Sequence, residues 1–83
     1  MGLKKQIKNI EKFLQEKINN EIYFYDYYKS IKGIVLIYKI DFITIYYNLN
    51  NSKTNVNHNN ITYNFSNLEE SLTLINNLYN LPY

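Results

Sequence analysis

Eighty-three residues with a formal net charge of +2 make one small α+β domain, residues 1-83, with room for a single modest core. The chain has no cysteine, which excludes a disulfide framework, a thiolate nucleophile and a Cys-type zinc site. Asn, Ile, Lys and Tyr supply 46 of the 83 residues while Ala, Arg and Trp are absent; codons for the abundant four are rich in A and T, which points to an AT-rich genome, such as that of a low-GC bacterium, its phage or plasmid, or an AT-rich virus.

In chain order, Leu3, Ile7, Ile10, Leu14 and Ile18 recur at helical spacing and predict an amphipathic helix over about residues 3 to 19, widened by Phe13 and stopped by Asn19 and Asn20. On its other side Lys4, Lys8 and Lys12 stack at steps of four with Lys5 beside them, a solvated face, a phosphate-tracking stripe or a docking surface for an acidic protein. The opening MGLKKQIKNI has charge but no continuous apolar run, so no secretory signal is expected.

Glu21 to Lys29 reads as a first strand with two unlike faces. Strict alternation puts Tyr23, Tyr25 and Tyr27 on one, between Glu21 and Lys29, and Ile22, Phe24, Asp26 and Tyr28 on the other. Ser30 to Gly33 is the turn, with Gly33 supplying a positive φ.

Ile34 to Tyr47 is almost wholly apolar or aromatic. It is too short to span a bilayer as a helix and carries Lys39 and Asp41 in its middle, so no membrane is expected. Two conformations fit, one long strand of about 46 Å or two strands broken near Lys39 to Asp41. Because Lys39 to Asp41 contains no glycine, asparagine or proline for a tight turn, the single strand is the favoured expectation, with the even positions Ile34 to Tyr46 facing the core. Asn48 to Asn60 is then a polar connection holding the lone His58, of which Lys53 to Asn57 extends the neighbouring strands. Ile61 to Phe65 alternates as the last strand, paired with the central one. Ser66-Asn67-Leu68-Glu69 is a capping box opening a helix to about Asn80, with Leu68, Leu72, Ile75 and Tyr79 as its main stripe, Leu74, Leu78 and Leu81 beside it, and Pro82 after it. The predicted fold is αβββα: a helix, a three-stranded antiparallel sheet and a helix, both helices on one face.

Catalysis is hard to assemble from one isolated histidine and seven carboxylates, of which the adjacent Glu69 and Glu70 suit a helix start. Glycines only at 2 and 33 leave no phosphate-cradling loop. The expectation is a non-enzymatic, cytoplasmic protein with no catalytic residues, no cofactor and no metal. The binding candidates are Tyr23, Tyr25, Tyr27 and Lys29 for a protein partner. Alternatively, Lys4, Lys5, Lys8 and Lys12 with the exposed tyrosines would serve nucleic acid.

The αβββα order resembles the double-stranded RNA-binding domain, but Ser66, Asn67, Leu68, Glu69 and Glu70 bring two negative charges where that family carries lysines. It is also similar to small phage-encoded anti-CRISPR proteins, inhibitors of type II-A defence nucleases, in length, in the helix at Leu3 to Asn19, in the strands at Glu21 to Tyr47 and Ile61 to Phe65, and in the helix from Asn67. That resemblance implies a phage or mobile-element protein that inhibits a host defence protein, a nuclease or its nucleoprotein complex, by occluding a protein surface. A homodimer through the sheet is the remaining expectation for partners.

Overall fold

The computed structural model describes residues 2–18 and 21–79. Its order is α1 (Leu3–Ile18), β1 (Tyr23–Ser30), β2 (Gly33–Ile40), β3 (Ile43–Asn48), β4 (Thr54–His58), β5 (Ile61–Phe65) and α2 (Leu68–Tyr79). The sheet therefore has five strands instead of three, in the antiparallel meander β1-β2-β3-β4-β5.

Two hairpins account for the extra strands. The apolar run from Ile34 is cut at Asp41-Phe42, and Ile40 pairs with Ile43 across that two-residue loop. Asp41 takes the positive φ of 48° that the turn demands; aspartate reaches this region more readily than most residues. Two turn residues reverse the parity of everything after them. Ile43 and Ile45 are fully buried, while Phe42, expected in the core, is exposed. The polar stretch beyond β3 contains β4, whose Val56 and Thr54 side chains are fully buried. β5 pairs with β4, not with the central strand, and Asn59 and Asn60 link them at φ 52° and 64°, the two positive values that a tight hairpin turn requires. The Ser30 to Gly33 turn forms as expected, with Gly33 at φ 131°.

Both helices cover the face of the sheet that carries Leu36, Tyr38, Ile40, Ile43, Ile45 and Val56. Leu14 and Ile18 from α1 and Leu68 and Ile75 from α2 complete a single core, and Leu3, Ile7, Ile10 and Phe13 pack partly buried against it. Tyr38, the largest wholly buried side chain, donates its hydroxyl to the Ile7 carbonyl at 2.6 Å and meets the Phe24 ring edge-on at 5.6 Å between centroids. Burial pushes the Tyr38 phenol well above the ordinary tyrosine range, helped by the charge of Glu11 and by Tyr47.

The helix cap is one residue later than the sequence pattern suggests. The Asn67 carboxamide accepts from the Glu70 amide at 2.9 Å, and the Glu70 carboxylate reaches back to the Ser66 amide at 3.3 Å. Asn67 is thus the N-cap, as effective there as serine, and the carboxylate three residues on returns not to the cap's own amide, as in a capping box, but to that of the preceding Ser66. The predicted stop at Asn19 and Asn20, the Tyr79 side chain, and Leu81 and Pro82 lie outside the described residues.

Candidate protein-binding face

Pairing partners across a sheet share a face, so the register fixes what the uncovered side presents. Strict alternation in β1 fails at one point. Phe24 pairs with Tyr38 and Asp26 with Ile37, leaving Tyr25 as the extra residue of a β-bulge. The bulge reverses parity, so Tyr27 pairs with buried Leu36 and Lys29 with Ile34, on the helix side. Asp26 and Tyr28 move to the uncovered side opposite Ile37 and Val35, and Tyr23 lies there opposite Lys39. The expected row of Tyr23, Tyr25, Tyr27 and Lys29 is thus broken: Tyr23 and Tyr25 share the open face, whereas Tyr27 and Lys29 do not.

In their place the open face gains Tyr28 and Tyr46. Tyr46 pairs with Ile37 on one side and Asn55 on the other. Continuing outward, Asn55 pairs with Asn64, and Lys39 begins the row Thr44, Asn57, Thr62. The face thus grades from tyrosines on β1 and β3, over an aliphatic strip of Val35 and Ile37, into asparagine and threonine on β4 and β5. Tyr23, Tyr25 and Tyr28 are each about half exposed, at 55%, 56% and 47%.

Two features give this surface a fixed shape. The Lys39 ammonium lies 3.9 Å from the centroid of the Tyr25 ring, a cation–π contact that holds the bulged side chain against the sheet. At the other end, Asn48 ties two loops together. Its side-chain oxygen accepts from the Asn50 amide at 2.8 Å and the Asn51 amide at 3.4 Å, and its side-chain nitrogen donates to the Lys32 carbonyl at 3.4 Å. Asn50 in turn accepts from the Ile34 amide at 3.0 Å, and Asn51 from the Lys53 amide at 2.9 Å. Between these loops the face hollows into a depression of about 250 Å³, floored by Val35, walled by Tyr28 and Tyr46, and rimmed by Lys32 and Lys53.

The lysine stripe stands elsewhere. Lys4, Lys5, Lys8 and Lys12 are all exposed on α1, which packs on the opposite side of the sheet from Tyr25 and Tyr46. The α1 lysines are therefore separated from Tyr23 and Tyr25, while Tyr27 and Lys29 lie on the same side of the sheet as α1. His58 is half-buried with its ring 5.2 Å from that of Phe42, and among the described residues no group of three histidine, cysteine or acidic side chains could hold a metal ion. No helix among the described residues is long and apolar enough to cross a membrane.

Sequence patterning does not assign Tyr28, Tyr46 and Asn55 to this face. The signal is there in part: once Asp41-Phe42 is read as a turn, parity alone sends Thr44 and Tyr46 outward. Tyr28 carries no such signal, because a bulge leaves no glycine or proline behind. Compared with protein-family models, curated proteins and solved structures, the chain matches none of them.

Proposed function

We propose that this chain is a non-enzymatic binding protein that occludes a surface of a partner protein with its open sheet face. The observation that carries this reading is the composition of that face: Tyr23, Tyr25, Tyr28 and Tyr46 beside Asn55, Asn57, Asn64, Thr44 and Thr62. Tyrosine supplies large contact area at low rotamer cost and asparagine supplies adaptable hydrogen bonds, the combination found in antibody paratopes. The charges on this face are Lys39, stacked on Tyr25, and Asp26, which accepts from the Tyr27 amide at 2.8 Å, with Lys32 and Lys53 at its rim.

The AT-rich composition and the small αβ architecture favour a phage or mobile-element protein acting in the host cytoplasm on a defence protein, with a nuclease or its nucleoprotein complex as the first partner to test. The helix, three-strand, helix order shared with anti-CRISPR proteins is absent, so that partner rests on size, terminal helices and composition alone. Nucleic acid is the weaker reading, because the α1 lysines stand on the opposite side of the sheet from Tyr23, Tyr25, Tyr28 and Tyr46.

Binding to candidate host nucleases, measured by biolayer interferometry, tests the proposal. Tyr25→Ala with Tyr46→Ala is expected to weaken binding at least about 30-fold, the scale of one hot-spot residue, and Lys4→Glu with Lys8→Glu to leave it within about two-fold. Binding lost by the lysine variant and kept by the tyrosine variant overturns it. So does a low-salt mobility shift of nucleic acid that the lysine variant abolishes.

A further inference from the structure

The two edges of the sheet are built differently, and the difference singles out one of them as an assembly site. On β1 two amides are already occupied by carboxylates: Phe24 donates to Glu11 at 3.0 Å and Tyr27 to Asp26 at 2.8 Å. The bulge at Tyr25 adds a further irregularity there. Bulges and charged groups are the devices that keep an edge strand from recruiting another chain. β5, the other edge, has none of them. Residues 54–65 contain no lysine, arginine, aspartate, glutamate or proline, and Ile61 is 54% exposed.

The hydrogen-bonding phase of β5 is set by its hairpin. His58 and Ile61 close a two-residue loop, and such a closing pair exchanges both backbone bonds. Alternation then directs Ile61, Tyr63 and Phe65 toward β4, and turns the backbone N–H and C=O of Thr62 and Asn64 outward. The outward groups are two residues apart, the spacing of one antiparallel repeat.

We propose that β5 pairs antiparallel with β5 of a second copy, about a two-fold axis at Tyr63, to join two sheets into one of ten strands. This goes beyond the binding role of the open face and does not depend on it. In that register Thr62 lies opposite Asn64 of the other copy, and the four outward amides and carbonyls on the two strands find partners in two exchanging pairs. Side chains match as well. Thr62 and Asn64 are polar and sit on the open face, while Ile61 meets Phe65 and Tyr63 meets Tyr63 on the helix side. Any shift of the pairing by one residue would set amides against amides.

The helices fit the same arrangement. α2 packs on both β4 and β5, so with strands about 4.8 Å apart its axis lies about 5 Å from the two-fold. Two such helices would be about 10 Å apart, an ordinary packing distance. The dimer is closed: β1, the remaining edge at each end, is blunted by its carboxylates, so pairing does not propagate into a filament.

Sedimentation velocity at about 1 to 100 µM tests this, since a reversible dimer is concentration-dependent. The wild-type chain should approach twice its 10.0 kDa mass. Thr62→Lys with Asn64→Lys places like charges opposite one another across the axis and should give monomer, with a dissociation constant raised at least ten-fold. Thr62→Lys with Asn64→Glu sets a cation opposite a carboxylate and should restore the dimer. Both substitutions are at exposed positions, and far-UV circular dichroism checks that each variant is folded. A wild-type chain that stays monomeric throughout, a dimer indifferent to the two lysines, or a charge-paired variant no better than the doubly basic one overturns the proposal.

Discussion

Tyr38→Phe removes a single oxygen from the centre of the molecule, and the structure fixes both the size and the pH dependence of the result. The hydroxyl donates to the Ile7 carbonyl at 2.6 Å. Ile7 lies inside α1, where its carbonyl faces the amide of the residue four positions on, so losing the phenol does not orphan a buried acceptor. The cost is then one ordinary hydrogen bond, about 1 kcal/mol, and not the larger penalty of an unsatisfied group. For a domain of this length that is a fall in Tm of about 4 to 8 °C at pH 7. Above pH 10 the difference narrows and then reverses. The folded phenol has a pKa raised by burial, so the folded state keeps a proton that the unfolded chain releases once pH passes the ordinary tyrosine value of about 10. Wild-type stability therefore carries its full contribution below pH 10 and loses up to about 1.4 kcal/mol per pH unit above it. Phenylalanine has nothing to ionise, so the two curves should cross between about pH 10.5 and 11, where the titration loss equals the hydrogen bond. Urea melts followed by circular dichroism from pH 7 to 11 measure the difference directly, and the other tyrosines and lysines cancel in it. A variant that is less stable by the same margin at every pH would refute a phenol held protonated by burial.

Gly33→Ala should destabilise by about 2 kcal/mol or more, because φ 131° strains any side chain and the added carbon would sit 2.3 Å from the Asn50 carboxamide oxygen, displacing its bond to Ile34; chemical denaturation reads it. Asn60→Gly should stabilise by about 0.5 kcal/mol, since glycine reaches φ 64° without steric cost; a higher denaturation midpoint with unchanged m-value is the expected signature. Asn48→Ala should cost about 1 to 2 kcal/mol by releasing three side-chain bonds, and hydrogen exchange should quicken at Asn50 and Asn51 before it does in the strands.

Uninterrupted periodicity is the part of this fold that is legible in the sequence. α1, the turn at Gly33, the alternation of Ile61 to Phe65 and the placing of both helices on one face all come from patterns that run without a break. The failures are breaks. One residue of bulge at Tyr25 and two of turn at Asp41-Phe42 each reverse the parity of the strand beyond them, and a face assignment carried across either comes out inverted. That is why alternation misplaces Tyr27 and Phe42 yet assigns Leu36 and Tyr38, between the breaks, correctly to the core.

The asparagines are where composition misleads most. In a chain with two glycines, the positive φ values of its tight turns fall on Asp41, Ser52, Asn59 and Asn60 as well as Gly33. Asparagine tolerates that region and bonds its own backbone, so it can do much of what glycine does in turns. Asn48, Asn50, Asn51 and Asn67 go further and use their carboxamides to close a loop, brace a strand end and cap a helix. At Asn59 and Asn60 the positive φ, and at Asn48, Asn50, Asn51 and Asn67 the side-chain bonds, are ones that few other residues would supply. On the open face Asn55, Asn57 and Asn64 sit beside the tyrosines. What each of these positions presents is set by backbone geometry and by the register of the sheet, so position and not count is the ground on which the open face is proposed as a binding surface.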